Sequence, residues 1–349
     1  MKILKITDSK VGHITVSDGV IDAVEQHSNV DEVIILTIGL RAKFLLRILR
    51  FVLKYHLLSS RLVSSDLFMR MCYKNFKKPD TEIDLIVSTG GDTQFANVWL
   101  SYVLDVDNIF CGTLKGVPPK YFSLIMSTTD LKTDNSIKLD ILPTKSFPQD
   151  IDQRVERFCD EKKVDKKEKY FVLLIGGDGS GYHYTKSDYE TLVHAFMSVV
   201  KRYHAKALIT TSRRTGAEEE LLIKELLSKY SDDIAYSVYF IQKPEKVVGV
   251  YLELASMLFV TEESSSMISE SLLCRKPIFT LYPEKIKEVK SYQSFLKGLI
   301  DKERIHTLSI KNDLADIVLD QFHFHYIEKL PTEELSEKIQ PFLKKNLNH

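Results

Sequence analysis

A strand-to-helix junction in the second half of the chain carries more hydroxyls and acids than a helix start needs. Residues 260–279 read VTEESSSMISESLLCRKPIF. The residues predicted to bind a ligand here are the acids and hydroxyls Glu262, Glu263, Ser264, Ser265, Ser266 and Glu270, together with Met267 in the first turn of the helix. One serine could cap the helix, which leaves two over, and Met267 stands where a capping-box partner of Glu270 would be. The junction favours a nucleotide-sugar donor site, in which the serines and helix N–H groups hold a diphosphate and Glu270 holds the ribose. The alternative is a helix that is merely rich in polar residues, and Glu262 or Glu263 must face away from a diphosphate or meet sugar hydroxyls.

Two further loops at strand ends are also polar. GGDGSG at residues 176–181 has closely spaced glycines whose N–H groups could approach a phosphate or sugar, although its spacing fits neither a dinucleotide fingerprint nor a P-loop. TTSRRT at residues 210–215 places two arginines ahead of a helix start, where they could bind an anion. The donor residues predicted from these loops are Gly176, Gly177, Gly179, Ser212, Arg213 and Arg214. A flexible turn and a solvated arginine pair are the alternatives.

The first half offers candidate catalytic groups after its first apolar run. TDSKVGH at residues 7–13 places Asp8 and His13 where either could act as a base, although a lone histidine is more often structural. STGGDTQ at residues 88–94 is a second glycine-rich turn. We assign Gly90, Gly91 and Thr93 to the acceptor side, with close packing as the alternative.

Alternating strands and helices must position these loops. Apolar runs and helical patterns alternate along both halves, which indicates parallel sheets with ligands at the carboxyl ends of the strands. Examples are a strand at residues 238–241 and a helix at residues 40–58. Capping boxes predict two helix starts, at Ser187 with Glu190 and at Thr215 with Glu218. A segment with two prolines at residues 143–153 indicates a linker between two α/β halves.

The bulk composition limits the partners. Lys plus Arg and Asp plus Glu both total 48 in 349 residues, so the chain has no overall bias toward nucleic acid. Its four cysteines include no CxxC pair, which indicates neither a zinc site nor a disulfide framework, and we expect no metal or cofactor. The absence of a signal-like or membrane-spanning stretch predicts a cytoplasmic protein.

One segment differs in kind from the rest. Residues 41–61 interleave Lys and Arg with a broad apolar set, as a helix lying on an anionic membrane surface would. A core helix with solvated basic positions is equally consistent. The first interpretation would place the protein peripherally on the inner face of the cytoplasmic membrane.

Several of these motifs together resemble a known family. DSKVGH, LLIGGDGSGYHY, TTSRRT and the 260–279 junction, in this order between residues 8 and 279, are similar to the ELM1-like family, also described as mitochondrial fission ELM1 or ELM1/GtrOC1 glycosyltransferases. Residues 266–270 match the family run SMISE. Ser9 replaces a glycine, Val16 a glutamine and Glu263 an aspartate of the family pattern.

The resemblance implies a GT-B type architecture, an α/β fold with two Rossmann-like domains facing across a cleft. We place the acceptor-side domain at residues 1–148, the nucleotide-sugar donor domain at residues 149–330, and at residues 331–349 a helix that packs back on the first domain. Glu262 and Glu270 also reproduce the Glu-x7-Glu spacing of such enzymes. The implied activity is metal-independent, inverting transfer of a sugar to a hydroxyl of a glycan or lipid-linked glycan, in lipopolysaccharide or capsule synthesis. The alternatives are a non-hydrolysing nucleotide-sugar 2-epimerase and a non-catalytic adaptor of the mitochondrial fission type.

Overall fold

The structure, a computed structural model, describes residues 1–144, 150–312 and 314–346. The chain divides into two compact units, Met1–Ser146 with Lys329–His349, and Phe147–Glu328. The predicted boundary between residues 148 and 149 and the middle of the predicted linker lie outside the described residues.

The strands, in chain order, are β1 Lys2–Thr7, β2 Glu32–Thr37, β3 Gly39–Leu40, β4 Tyr73–Lys74, β5 Leu85–Thr89, β6 Asp107–Cys111, β7 Leu124–Ser127, β8 Ser136–Lys138, β9 Tyr170–Leu174, β10 Lys206–Thr210, β11 Ile234–Val238, β12 Ala255–Thr261, β13 Ile278–Tyr282 and β14 His306–Ser309. The α-helices are α1 Val11–Glu25, α2 Leu45–Lys54, α3 Asp66–Cys72, α4 Gln94–Leu104, α5 Ile151–Lys162, α6 Lys186–Arg202, α7 Ala217–Leu227, α8 Val248–Leu254, α9 Ser265–Leu272, α10 Lys290–Ile300 and α11 Pro331–Asn346. Short 3-10 helices connect some of them, including one at Leu57–Ser59.

The first unit is built on a parallel sheet with the strand order β2-β1-β5-β6-β7-β8. Both faces of the sheet are covered, so β1 and β5 are buried along almost their whole length. The chain adds β2 on one side of β1 and all later strands of this sheet on the other side, so the strand order reverses between β1 and β5. Ligands of such sheets bind beyond the carboxyl ends of the strands at this reversal, where the loops carrying the predicted residues Asp8 and Gly90 begin.

The helix α11 completes one of these layers. Leu335, Ile339 and Leu343 follow one another at intervals of four residues, so they share one helix face, and all three are buried in a core with Val16 and Val20 of α1. Burying three aliphatic side chains contributes roughly 2 kcal/mol each. The last helix of the chain therefore belongs to the core of the first unit.

The second unit repeats the plan with the strand order β11-β10-β9-β12-β13-β14, all parallel. Numbered within the unit, this is the order 3-2-1-4-5-6 of dinucleotide-binding folds. Its reversal point lies between β9 and β12. The GGDGSG loop and the serine-rich junction follow these two strands, and the arginine loop follows the adjacent β10.

Some local predictions were wrong. The strand predicted at residues 238–241 is β11, which ends at Val238, and the helix predicted over 40–58 is only α2 with a separate 3-10 turn. The capping box of α6 is formed by Thr185 and Asp188, because the helix begins earlier than predicted. The α7 N-cap is Gly216, which leaves the Thr215 hydroxyl for other contacts.

Candidate functional site

The three predicted donor loops meet at one edge of the second sheet. The Gly176 N–H donates to Thr261 Oγ1 over 2.7 Å, and Thr215 Oγ1 donates to the Gly176 carbonyl over 2.8 Å. The Gly177 N–H donates to Glu263 Oε1 over 3.1 Å. These bonds join the ends of β9, β10 and β12, because the three strands are neighbours and their carboxyl ends lie side by side.

The glycines serve this close approach rather than phosphate binding. The N–H groups of Gly176 and Gly177 are used by these bonds, and the Gly179 N–H donates to the Tyr182 carbonyl over 3.2 Å. A Cβ on Gly176 would overlap the Glu263 carboxylate. The expectation that the N–H groups of Gly176, Gly177 and Gly179 bind the donor is therefore corrected: in this structure they hold the loops together.

The start of α9 remains open to an anion. Ser264 is the N-cap residue, but no described side chain makes a cap hydrogen bond there, and its hydroxyl lies 3.3 Å from that of Ser266. Ser265, Ser266 and Met267 are partly exposed in the first turn. Hydroxyls and N–H groups at a helix start form a suitable site for a phosphate.

The two arginines lie at the same edge. Arg213 and Arg214 are exposed, and neither guanidinium forms an ion pair with any described residue. The Arg214 N–H donates to Ser212 Oγ over 3.1 Å, which orders the turn. A Cβ on Gly179 would lie 2.6 Å from Arg214 Nη1, so this guanidinium rests on the glycine loop. Of the pair, Arg214 is held at the edge where the three loops meet.

The Glu262 carboxylate belongs to the core. Tyr182 donates to its Oε1 over 2.7 Å, Thr280 donates to its Oε2 over 2.6 Å, and Thr307 donates to the same oxygen. The residue is 5 % exposed. This corrects the prediction that Glu262 contacts the donor: three hydroxyls of the surrounding strands and loop use its oxygens.

Glu263 has the opposite environment. Its side chain is fully buried, and its Oε2 has no hydrogen-bond partner among the described residues. Burial raises the pKa of this carboxyl to about 7, although the Gly177 N–H and the charge of Arg214 act to lower it. Glu263 therefore lies beneath the edge where the three loops meet, and its ionisation near neutral pH would change the charge there. Because it is fully buried, its carboxylate does not reach sugar hydroxyls in this structure.

Glu270 has a carboxylate that is left for a ligand. It lies one turn into α9, and no hydrogen bond or ion pair joins its side chain to the described part of the chain. Burial raises its pKa to about 7. A half-buried carboxylate without a partner among the described residues suits a pair of sugar hydroxyls.

In the first unit, Asp8 and His13 form a pair. Asp8 Oδ1 lies 2.9 Å from His13 Nδ1, and Lys10 Nζ bonds the other carboxylate oxygen and lies 3.3 Å from Asp92 Oδ2. Burial acts to raise the pKa of Asp8, but the hydrogen bonds from His13 and Lys10 outweigh it and hold the pKa at about 2. An ionised Asp8 fixes the ring so that Nε2 can accept a proton. The sequence indicated the two residues separately, and their pairing depends on the turn from β1 into α1.

The glycine turn after β5 supports this pair. Gly90 has φ +99°, and a Cβ there would overlap the His13 ring, so only glycine allows the ring to lie where it does. Gly91 lies against the aliphatic part of Lys115, a residue that no motif indicated. Thr93 is fully buried, and its hydroxyl donates to the Thr89 and Gly90 carbonyls. The assignment of Thr93 to the acceptor is corrected on that ground.

The sequence profile of the family described as mitochondrial fission ELM1 matches residues 12–337. The chain belongs to the mitochondrial fission ELM1 family. No curated protein sequence matches it. Within the described residues of this ELM1-family chain, no helix is both long and apolar enough to span a bilayer.

Solved structures show the same architecture. A UDP-GlcNAc 2-epimerase from Methanocaldococcus jannaschii has a TM-score of 0.58 at 13 % identity, covering 99 % of this chain and 100 % of its own. The Neisseria meningitidis UDP-GlcNAc 2-epimerase bound to UDP-GlcNAc has 0.57 at 11 %, with the same coverage. The spinosyn rhamnosyltransferase SpnG complexed with thymidine diphosphate has 0.52 at 10 %, covering 100 % of both chains. At these identities the likeness establishes the fold, which is the GT-B type with two Rossmann-like units.

Proposed function

We propose that this protein is a glycosyltransferase that moves a sugar from a nucleotide-sugar to a hydroxyl acceptor. The observation that carries the proposal is the meeting of the Arg214 guanidinium and the uncapped start of α9 at the edge of the second sheet. Both are attractive to an anion, and both lie at the reversal point of a Rossmann-like sheet. The Glu270 carboxylate, which forms no hydrogen bond or ion pair with a described residue, lies in the same helix and suits the ribose.

The Asp8–His13 pair supplies the base. As the acceptor oxygen attacks the anomeric carbon, its proton passes to His13 Nε2, and the bond from that carbon to the phosphate oxygen breaks. The electron pair of that bond leaves with the nucleoside diphosphate. Because the acceptor attacks the face opposite this leaving group in a single displacement, the anomeric configuration inverts. Arg213, Arg214 and the helix start would stabilise the charge that develops on the leaving group, which needs no metal in this proposal.

The first test is ligand binding. Thermal shift with UDP, GDP, ADP, TDP and CMP should show stabilisation by one base, and calorimetry should show that Arg214→Ala weakens this binding at least 10-fold, as expected for loss of a charge-assisted bond. Lys229→Ala, an exposed cation elsewhere in the same unit, is the matched control. If no nucleotide binds to the wild type, the proposal fails and the adaptor alternative is favoured.

A 2-epimerase remains the second candidate function, supported by the fold likeness to two UDP-GlcNAc 2-epimerases. Incubation of the protein with a nucleotide-sugar that it binds, without acceptor, separates the two. An epimerase forms an isomer of the nucleotide-sugar, whereas a transferase gives at most slow hydrolysis.

The acceptor and location complete the proposal. We extend it to a glycan or lipid-linked glycan acceptor of the cell envelope, such as lipopolysaccharide or capsule, and to a cytoplasmic protein that contacts the membrane through residues 41–61. The support is the exposed apolar side of α2, whose residues include Phe44 and Phe51. Transfer of labelled sugar to lipid extracts rather than to soluble glycans would establish this acceptor class.

A further inference from the structure

A basic cavity lies beside α2 in the first unit, whereas the residues proposed for the donor belong to the second unit. It has a volume of about 520 Å³, and its lining includes Arg47, Arg50, Phe51, Lys54, Tyr55 and Lys120. None of the described lining residues is acidic, and none of the four cations forms an ion pair with a described residue. Cations that no described carboxylate neutralises attract an anionic group to the cavity that they line.

One side of α2 is also apolar and exposed. Phe44, Ile48, Phe51 and Tyr55 are 62 %, 44 %, 54 % and 53 % exposed, and their spacing places them on one helix face. The opposite face is buried in the core. The rings of Phe51 and Tyr55 lie 4.4 Å apart, so they form a continuous apolar surface at the mouth of the cavity.

Contacts within the first unit connect this cavity to the candidate base. A Cβ on Gly116 would lie 3.1 Å from Arg50 Nε, and the adjacent Lys115 lies against Gly91. Gly91 follows the glycine that contacts the His13 ring. The cavity and His13 are therefore linked by a short run of contacting residues.

From these observations we propose that α2 binds the surface of an anionic phospholipid membrane, with the apolar face in the interface and a lipid phosphate in the cavity. The charge pattern favours this occupant: residues 41–65 contain six Lys and Arg and no acid. Membrane binding by α2 deepens the proposed function, and only its link to the acceptor rests on that function. A lipid-linked glycan at this surface would have its hydroxyl on the side of His13.

Vesicle sedimentation tests the proposal with the full chain. Wild type should sediment with phosphatidylcholine vesicles that contain roughly one third phosphatidylglycerol and should remain in solution with phosphatidylcholine alone. Arg47→Ala/Arg50→Ala/Lys54→Ala should lower the partition coefficient on the order of 100-fold, from about one factor of five for each cation. Phe44→Ser/Phe51→Ser should also release the protein from anionic vesicles.

Three controls distinguish the outcomes. Lys167→Ala/Lys229→Ala/Lys246→Ala removes the same charge from exposed positions of the second unit and should sediment as the wild type does. The calorimetric unfolding transition of the first unit should be unchanged in all α2 variants, which shows that this unit folds. Unchanged nucleoside diphosphate binding separates failure here from failure of the donor site. Equal sedimentation with neutral vesicles, or an unaffected α2 triple variant, would overturn the proposal. So would a dimer that Phe44→Ser/Phe51→Ser converts to monomer and that binds no vesicles, because a second copy would then cover the face.

Discussion

Glu262 and Glu263 are neighbours in the chain, but their carboxylates have different surroundings and therefore different roles. Residues in a strand point alternately to opposite sides, so at the end of β12 Glu262 turns toward Tyr182 and Thr280 and Glu263 turns toward the glycine loop. The first carboxylate receives hydroxyl donors on both oxygens. The second accepts from the Gly177 N–H, its Oε2 has no hydrogen-bond partner among the described residues, and burial raises its pKa to about 7.

This difference predicts a pH-dependent affinity. Because burial raises the pKa of Glu263 to about 7, the carboxyl changes from mostly neutral to mostly ionised as the pH rises from 6 to 8. The added negative charge lies beneath the proposed diphosphate site, so wild-type affinity for a nucleoside diphosphate should fall over this range. Glu263→Gln keeps an acceptor for the Gly177 N–H and should reduce the change, as measured by calorimetry, to the part that comes from the ligand and from Glu270, whose pKa burial also raises to about 7. If the two proteins respond equally to pH, Glu263 does not lie near the bound phosphates.

The Asp8–His13 pair predicts a separation of catalysis from binding. Because the pKa of Asp8 is about 2, its carboxylate is ionised throughout the working range. Asp8→Asn should lower kcat by about two to four orders of magnitude, and His13→Ala by at least as much, since each removes part of one proton acceptor. The affinity for the donor nucleotide should stay within about twofold, because both residues lie in the other unit. A matching loss of nucleotide affinity would contradict the assignment.

At the scale of the elements, loops after parallel strands bring the chemistry together. The alternation of apolar runs and helical patterns predicted parallel sheets in both halves, and both sheets are parallel. The sequence also predicted that the polar loops after β9, β10 and β12 come together at one edge of the second sheet, and their hydrogen bonds join them there. It could not show that the N–H groups of Gly176 and Gly177 are used, since their partners lie 85 and 86 residues away. The position of Glu263 and the contact of Lys115 with Gly91 depend in the same way on packing between distant segments.

A substitution in the turn after β5 should lower turnover even though the turn itself need not contact the substrate. Gly90→Ala would strain a backbone at φ +99° and displace the His13 ring, so we expect about 1–3 kcal/mol lower stability and a kcat reduced at least 10-fold. Gly39→Ala is the control, because a Cβ there has no atom within 4 Å. Turnover assays with urea unfolding of both variants measure the two effects. Equal activities would show that the His13 position does not depend on this glycine.

At the scale of the whole molecule, each sheet has its own covering helices, and the chain returns at its end to the first unit. Residues before and after the second unit thus form one core, in which α11 packs on α1. A bound nucleotide contacts only the second unit in our proposal. The stability of the two units should therefore respond to different changes.

Calorimetry should resolve this difference. Ile339 is fully buried, so Ile339→Ala should cost about 2–5 kcal/mol and lower the unfolding transition of the first unit by roughly 10 °C, whereas the exposed Glu337→Ala should change it little. A nucleoside diphosphate at about 100 times its Kd adds about 2.7 kcal/mol to the second unit and should raise only the other transition. A single transition that shifts with both Ile339→Ala and the nucleotide would contradict this prediction and show that the two units unfold together. Destabilising the first core would then unfold the donor site as well.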